Sequence, residues 1–183
     1  MLRRILVPME STLAGEARLD VAISLARRHG AALTLLQVLG RGVEIGCDID
    51  ALLAAENAAQ ALRDRIEREG VRAEWRSSPR VADVGRIYAK QADLTILGRL
   101  DAQAMPDVPP ESVVLTSGRP ILVLPGEGPF ATIGTRVVIA WDGSREASRA
   151  VRDALPLMAA ARSVTALSVN LSEAGQDCPL AGC

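Results

Sequence analysis

Arg4-Ile5-Leu6-Val7-Pro8-Met9-Glu10 is a short apolar run that passes through a proline and ends on a carboxylate. It is too brief for a helix and reads as a buried strand. The residues after it change period. Leu19, Ala22, Ile23 and Ala26 stand at i, i+3, i+4, i+7 spacing, one face of a helix, and Gly30 takes the usual position just past its end. Ala32-Leu33-Thr34-Leu35-Leu36-Gln37-Val38 is the next strand, and its near-continuous apolar character suits a strand covered on both faces. A β-α-β unit is complete by Val38.

The alternation continues outward from this unit. Residues 40–46 form a glycine-rich loop. Asp50 can cap a long helix that Gly70 closes, with Leu52, Ala55, Ala59, Leu62 and Ile66 facing inward and Arg63 and Glu67 outside as an i,i+4 pair. Residues 71–76 read as a third strand nearer the sheet edge, because Arg72, Glu74 and Arg76 alternate along it. Val81, Val84, Ile87 and Tyr88 mark a third helix, and Leu94-Thr95-Ile96-Leu97 a fourth strand ending at Gly98. Residues 110–117 read as a short helix with Pro110 at its start and Gly118 after its end. Ile121-Leu122-Val123-Leu124 is the fifth strand, ended by Pro125. Strand and helix in strict alternation predict an α/β fold, a doubly wound parallel sheet with helices on both faces. Residues 1–125 are expected to form this domain, and residues 126–135 a linker.

The chain then restarts. Arg136-Val137-Val138-Ile139-Ala140-Trp141-Asp142 mirrors the opening run. Glu146-Ala147 mirrors Glu16-Ala17, Val151 and Leu155 fall where Val21 and Leu25 fall, and residues 163–169 restate the second strand. Residues 136–170 are therefore expected to be a partial second β-α-β unit. Residues 171–183 are small, polar and aperiodic, and are expected to be a flexible tail. Two strands and a helix do not bury their own faces, so the partial unit is expected to pack on the first domain or on another subunit.

Composition narrows the chemistry. Apolar residues at 49% and charged residues at 23% suit a globular protein. A net charge of -1 sets up no strong field for nucleic acid or anionic lipid, and 2% aromatics leave little to stack bases on. No apolar run is long enough to cross a membrane as a helix or to form a signal core. Cys47, Cys178 and Cys183 make no CxxC pair, which points to a reducing cytoplasm. His29 is the only histidine and Lys90 the only lysine, so catalytic triads, multi-histidine metal sites and P-loops lack material. His29 is expected at a helix end, where a positive charge suits the dipole.

The order and spacing of several segments resemble the universal stress protein family in its tandem-domain form. They are Ile5-Leu6-Val7-Pro8, Ala92-Asp93-Leu94-Thr95-Ile96-Leu97-Gly98, Pro120-Ile121-Leu122-Val123-Leu124-Pro125 and Ala140-Trp141-Asp142-Gly143-Ser144. Residues 110–120 resemble a tandem-type subgroup. The resemblance implies a five-stranded parallel sheet of order 3-2-1-4-5, as in the adenine nucleotide alpha hydrolase-like folds. It also implies a ligand crevice at the carboxyl ends of strands one and four. Many members bind ATP there, through an acid at the end of strand one and a G-x2-G-x9-G-[S/T] loop after strand four.

This chain departs from that pattern. Gly98 matches the first glycine, but Asp101 takes the second position, and the final Gly-Ser pair falls at about Asp107-Val108, followed by Pro109-Pro110. Carboxylates repel phosphate, and proline offers no N–H to hold it. The candidate nucleotide crevice comprises Pro8, Met9, Glu10, Gly98, Arg99 and Asp142. Glu10 and Asp142 hold the strand-one acid position, and Arg99 is placed to contact phosphate. Each has a plainer reading, since acids before a helix are good caps. Asp101 and Asp107 read as a solvated acidic loop rather than a metal site, and Cys47 as an incidental thiol.

The resulting expectation is a cytoplasmic stress-response protein, non-enzymatic, without firm cofactor or metal, acting through protein contacts. The fifth strand commonly mediates pairing in the family, which implies a homodimer here. The alternative is a universal stress protein that binds ATP or AMP through altered loop chemistry.

Overall fold

The computed structural model describes residues 1–9, 13–38, 49–99, 108–126, 128, 130 and 132–168. The chain divides into two units, Met1–Phe130 and Ala131–Cys183. The expected tail, residues 171–183, and the glycine-rich loop, residues 40–46, lie outside the described residues.

The first unit runs β1 (Arg4–Met9), α1 (Leu13–His29), β2 (Ala32–Val38), α2 (Ile49–Arg68) and β3 (Ala73–Ser78). A helical segment, Val84–Tyr88 continued by Ala89–Gln91, leads to β4 (Leu94–Gly98), α3 (Pro110–Ser117) and β5 (Ile121–Leu124). All pairings are parallel and the strand order is β3-β2-β1-β4-β5, the expected doubly wound sheet. Period-two alternation sends side chains to opposite faces. Leu6, Leu36 and Leu97 pack with Val84, Ala89 and Val113 on one face. Ile5, Val7, Leu33, Leu35 and Ile96 are buried on the other, where α1 packs against β1, β2 and β4 and contributes Leu19, Ala22, Ile23 and Ala26.

Local chemistry sets the ends of these elements. Gly30, Gly70 and Gly118 follow their helices with φ of 66°, 69° and 61°, a left-handed turn that favours glycine. Asp93 explains the polar residue before β4. Its Oδ2 accepts from the N–H of Arg3 (2.7 Å) and of Arg4 (3.0 Å), tying the start of β1 to β4. The third helix is not a regular α-helix. Its first stretch is a π-helix and its last a 3-10 turn. Gly85 lies there with its backbone against α3, where an added Cβ would meet Thr116 Cβ at 3.2 Å and Val113 Cα at 3.3 Å. Arg63 does not extend to Glu67 as an ion pair; its guanidinium lies over the Trp75 ring of β3, 5.2 Å from the centroid. The apolar face of Trp75 outcompetes a solvated carboxylate for an arginine on this helix face. His29 does end α1, but burial, reinforced by Arg28, holds its pKa below the ordinary value. Its Nε2 is buried without a hydrogen-bond partner. Desolvation disfavours the charged imidazolium, so the shift runs against the positive charge expected at this helix end.

The second unit contains β6 (Arg136–Ala140), α4 (Arg145–Met158) and β7 (Ser163–Leu167), with β6 and β7 parallel from Arg136↔Ser163 to Ala140↔Leu167. β6 starts 132 residues after β1 (136 less 4), and α4 starts 132 residues after α1 (145 less 13). Helix position therefore matches Ser148 to Glu16 and Ala150 to Arg18, two residues from the pairing that the Glu-Ala dipeptides suggested. The start of α4 is fixed by capping. Ser144 is the N-cap, its Oγ accepts from Ala147 N–H (3.0 Å), and Asp142 Oδ1 accepts from Ser144 N–H (2.9 Å). No residue of α4 is buried, and Val138, Leu155 and Leu167 are 66%, 55% and 54% exposed.

Candidate functional site

β1 and β4 are neighbours for only part of their length. β1 stays paired with β2 as far as Met9↔Gln37, but its pairing with β4 stops at Leu6↔Thr95. β4 meanwhile follows β5 to Gly98↔Leu124. The two central strands part beyond Leu6 and Thr95. The strand order reverses at this point, and open α/β sheets form their ligand crevices there. Pro8 stands where the strands part. It is buried and has no N–H with which to extend a ladder towards β4. Met9, next to it, is half-buried.

A residue from α1 enters this gap. Arg18 is 2% exposed, although arginine is among the residues least often buried. Its Nη1 donates to the Pro8 carbonyl at 3.3 Å. On the β4 side its Nη2 lies against Gly98, where an added Cβ would stand 2.9 Å from Nη2 and 3.3 Å from Cζ. The guanidinium therefore spans the parting strands. Arg18 was not among the expected site residues. Its one signal in the sequence is a charge four residues before Ala22, on the stripe that α1 turns inward.

The expected residues divide as follows. Pro8, Met9, Gly98 and Arg99 are brought to the crevice by β1 and β4. The Arg99 side chain is exposed, while its backbone N–H already donates to Leu124 O at 2.7 Å. Glu10 lies outside the described residues, as do Asp101, Asp107 and Cys47. Asp142 belongs to the second unit, where it supports the cap of α4. Hydrogen bonds from Ser144 hold its carboxyl below the usual carboxylate range.

α3 follows β4 in the chain and packs on the helical segment and β5. A helix N-terminus in this position normally offers free N–H groups and a positive dipole end to a phosphate. Here Pro109 is the N-cap and Pro110 the first helical residue, so two consecutive positions have no N–H. Glu111 follows in the first turn and adds a negative charge at this helix end. Val113 N–H is taken by Pro109 O at 3.2 Å.

A separate groove of about 510 Å³ runs along the Leu6 face near β3. Arg4, Thr34, Glu74, Arg76 and Tyr88 line it, and Glu74 and Arg76 pair with each other. Arg4 lies at the amino end of β1, so this groove is not the crevice at the strands' carboxyl ends. Among the described residues, no cluster of His, Cys, Asp and Glu is placed to hold a metal ion, and no helix is long and apolar enough to cross a membrane.

No model of a known protein family matches the sequence, and no curated protein matches it. Solved structures do. A universal stress protein from Archaeoglobus fulgidus DSM 4304 is 18% identical, with a TM-score of 0.61 over 91% of this chain and 68% of that one. A universal stress protein in complex with cAMP is 18% identical, with a TM-score of 0.51 over 69% of this chain and 98% of that one. The five-stranded sheet with its β1/β4 crevice is thus the fold of the universal stress proteins.

Proposed function

We propose that this chain is a tandem-type universal stress protein that acts in the cytoplasmic stress response through protein contacts, without enzymatic turnover, and pairs with a second copy. The observation that carries the reading is the start of α3. Pro109 and Pro110 remove two backbone N–H donors, and Glu111 adds a carboxylate. The crevice then has the shape of the fold's ligand site without its phosphate chemistry. The amide of Arg99, spent on Leu124, subtracts one more donor. Among the described residues, nothing in this arrangement polarises a phosphoanhydride or activates water. Calorimetric titration with ATP and Mg²⁺ is expected to give no submillimolar binding; a submillimolar Kd lost on Arg99→Ala would overturn the reading.

A second reading is an adenine-nucleotide-binding member with altered loop chemistry. It is favoured by the crevice itself, by the exposed guanidinium of Arg99 beside it, and by a cAMP complex among the structural neighbours. Glu10, Gly98 and Arg99 would be its core. Nucleotide co-purifying with the protein, detected by mass spectrometry, would select it. Light scattering tests the pairing: a dimer is expected, and a monomer at working concentrations argues against it.

A further inference from the structure

We infer that Arg18 is a built-in plug of the crevice, filling from inside the space that the fold leaves for a ligand between β1 and β4. The inference deepens the proposed function and rests on it. Three observations converge. The strands separate beyond Leu6 and Thr95, which opens the gap. The Arg18 guanidinium occupies it, 98% buried, with Nη1 on the Pro8 carbonyl. Gly98 receives the flat group so closely that a methyl group on its Cα would come within 2.9 Å of Nη2.

Gly98 therefore serves the interior. Phosphate-binding loops use glycine so that a ligand can approach the backbone, and here the approaching group is a side chain of the same protein. A planar guanidinium fits this role, because it lies flat on a backbone while its edge donates to a carbonyl. An anionic ligand entering the same space would have to expel a buried cation from its carbonyl partner. The plug thus excludes nucleotide independently of the poor chemistry at α3.

The experiment compares wild type, Arg18→Ala, Gly98→Ala and the double variant in two assays. In urea unfolding, Gly98→Ala is expected to lower the folding constant about ten-fold in wild type but only about two-fold in the Arg18→Ala background, because the clash partner is gone. In calorimetry with AMP, Arg18→Ala is expected to bind at least about ten-fold more tightly than wild type. Should Arg18→Ala not fold, Arg18→Met takes its place, since a thioether of similar length can move aside and carries no charge. Additive effects of the two substitutions, or an AMP affinity that does not rise in the folded variant, overturn the plug. The two levels fail separately. If neither wild type nor Arg18→Ala binds AMP, the plug falls and the proposed function stands. If wild type binds AMP and Arg18→Ala loses it, Arg18 is a ligand contact and both fall.

Discussion

The segments β1-α1-β2 and β6-α4-β7 have the same order, the same parallel pairing and the same spacing from strand start to helix start. Their burial is opposite. Ile5, Leu6 and Val7 are sealed from water, whereas Val138 of β6 is 66% exposed and every residue of β7 is exposed. The difference does not come from local sequence, since Val137-Val138-Ile139 is as apolar as Ile5-Leu6-Val7. It comes from what surrounds each segment. β1 has β2 on one edge and β4 on the other, with helices on both faces, while among the described residues β6 has β7 alone and α4 is the one helix of its unit. A β-α-β sequence thus specifies its own local structure but borrows its core from neighbours. Full burial stabilises an aliphatic side chain by roughly 1.5–3 kcal/mol, and only the first segment collects that.

The sharpest way to break this contrast is a pair of truncations. Leu36→Ala, in the core of the first unit, is expected to destabilise it by about 2–5 kcal/mol, and Val138→Ala to stay within about 0.5 kcal/mol. Chemical unfolding reports each unit separately, because Trp75 lies in the first and Trp141 in the second. A large loss from Val138→Ala would mean that the exposed face of β6 is covered in solution.

A smaller effect should be confined to the second unit. Ser144→Ala removes the oxygen that accepts from Ala147 N–H and is expected to destabilise α4 by about 1 kcal/mol. Faster hydrogen exchange in the first turn of α4, with unchanged protection in α1, is the expected readout. Equal loss in both helices would show that the units unfold together.

The smallest effect concerns pH and the first unit alone. The His29 pKa is lowered from 6.5 by burial, so the unfolded chain takes up a proton that the folded chain refuses. Stability must then fall as pH drops below 6.5, and recover above it. His29→Gln is expected to flatten that part of the stability profile as followed by Trp75. A slope unchanged in the variant would assign it to other groups.

The fold was legible because its signals are local. Apolar runs of strand length, one helical stripe and glycines at 30, 70 and 118 mark the elements, and each glycine does take the left-handed conformation. Pro109-Pro110 could be read as two positions without an N–H, and they stand at the N-cap and first residue of α3. Asp142 in Asp-Gly-Ser could be read as a cap, and it is one. Arg18 was not legible as a site residue, because its meaning depends on where β1 and β4 stop pairing and on a glycine from another strand. Arg63 misled for a related reason: its helix neighbour Glu67 is visible in sequence, while the Trp75 ring that holds it is supplied by β3.

The close seating of Arg18 on Gly98 has a consequence for how such proteins are sorted. A glycine after the fourth strand is commonly counted as evidence of nucleotide binding. In a protein where an internal side chain rests on that glycine, selection would preserve it for packing long after any nucleotide had ceased to visit. Its presence would then be a relic or a structural necessity, and the residue at the Arg18 position of the first helix would be the better diagnostic. Sequences with a small residue there would keep the crevice open; those with arginine would have closed it.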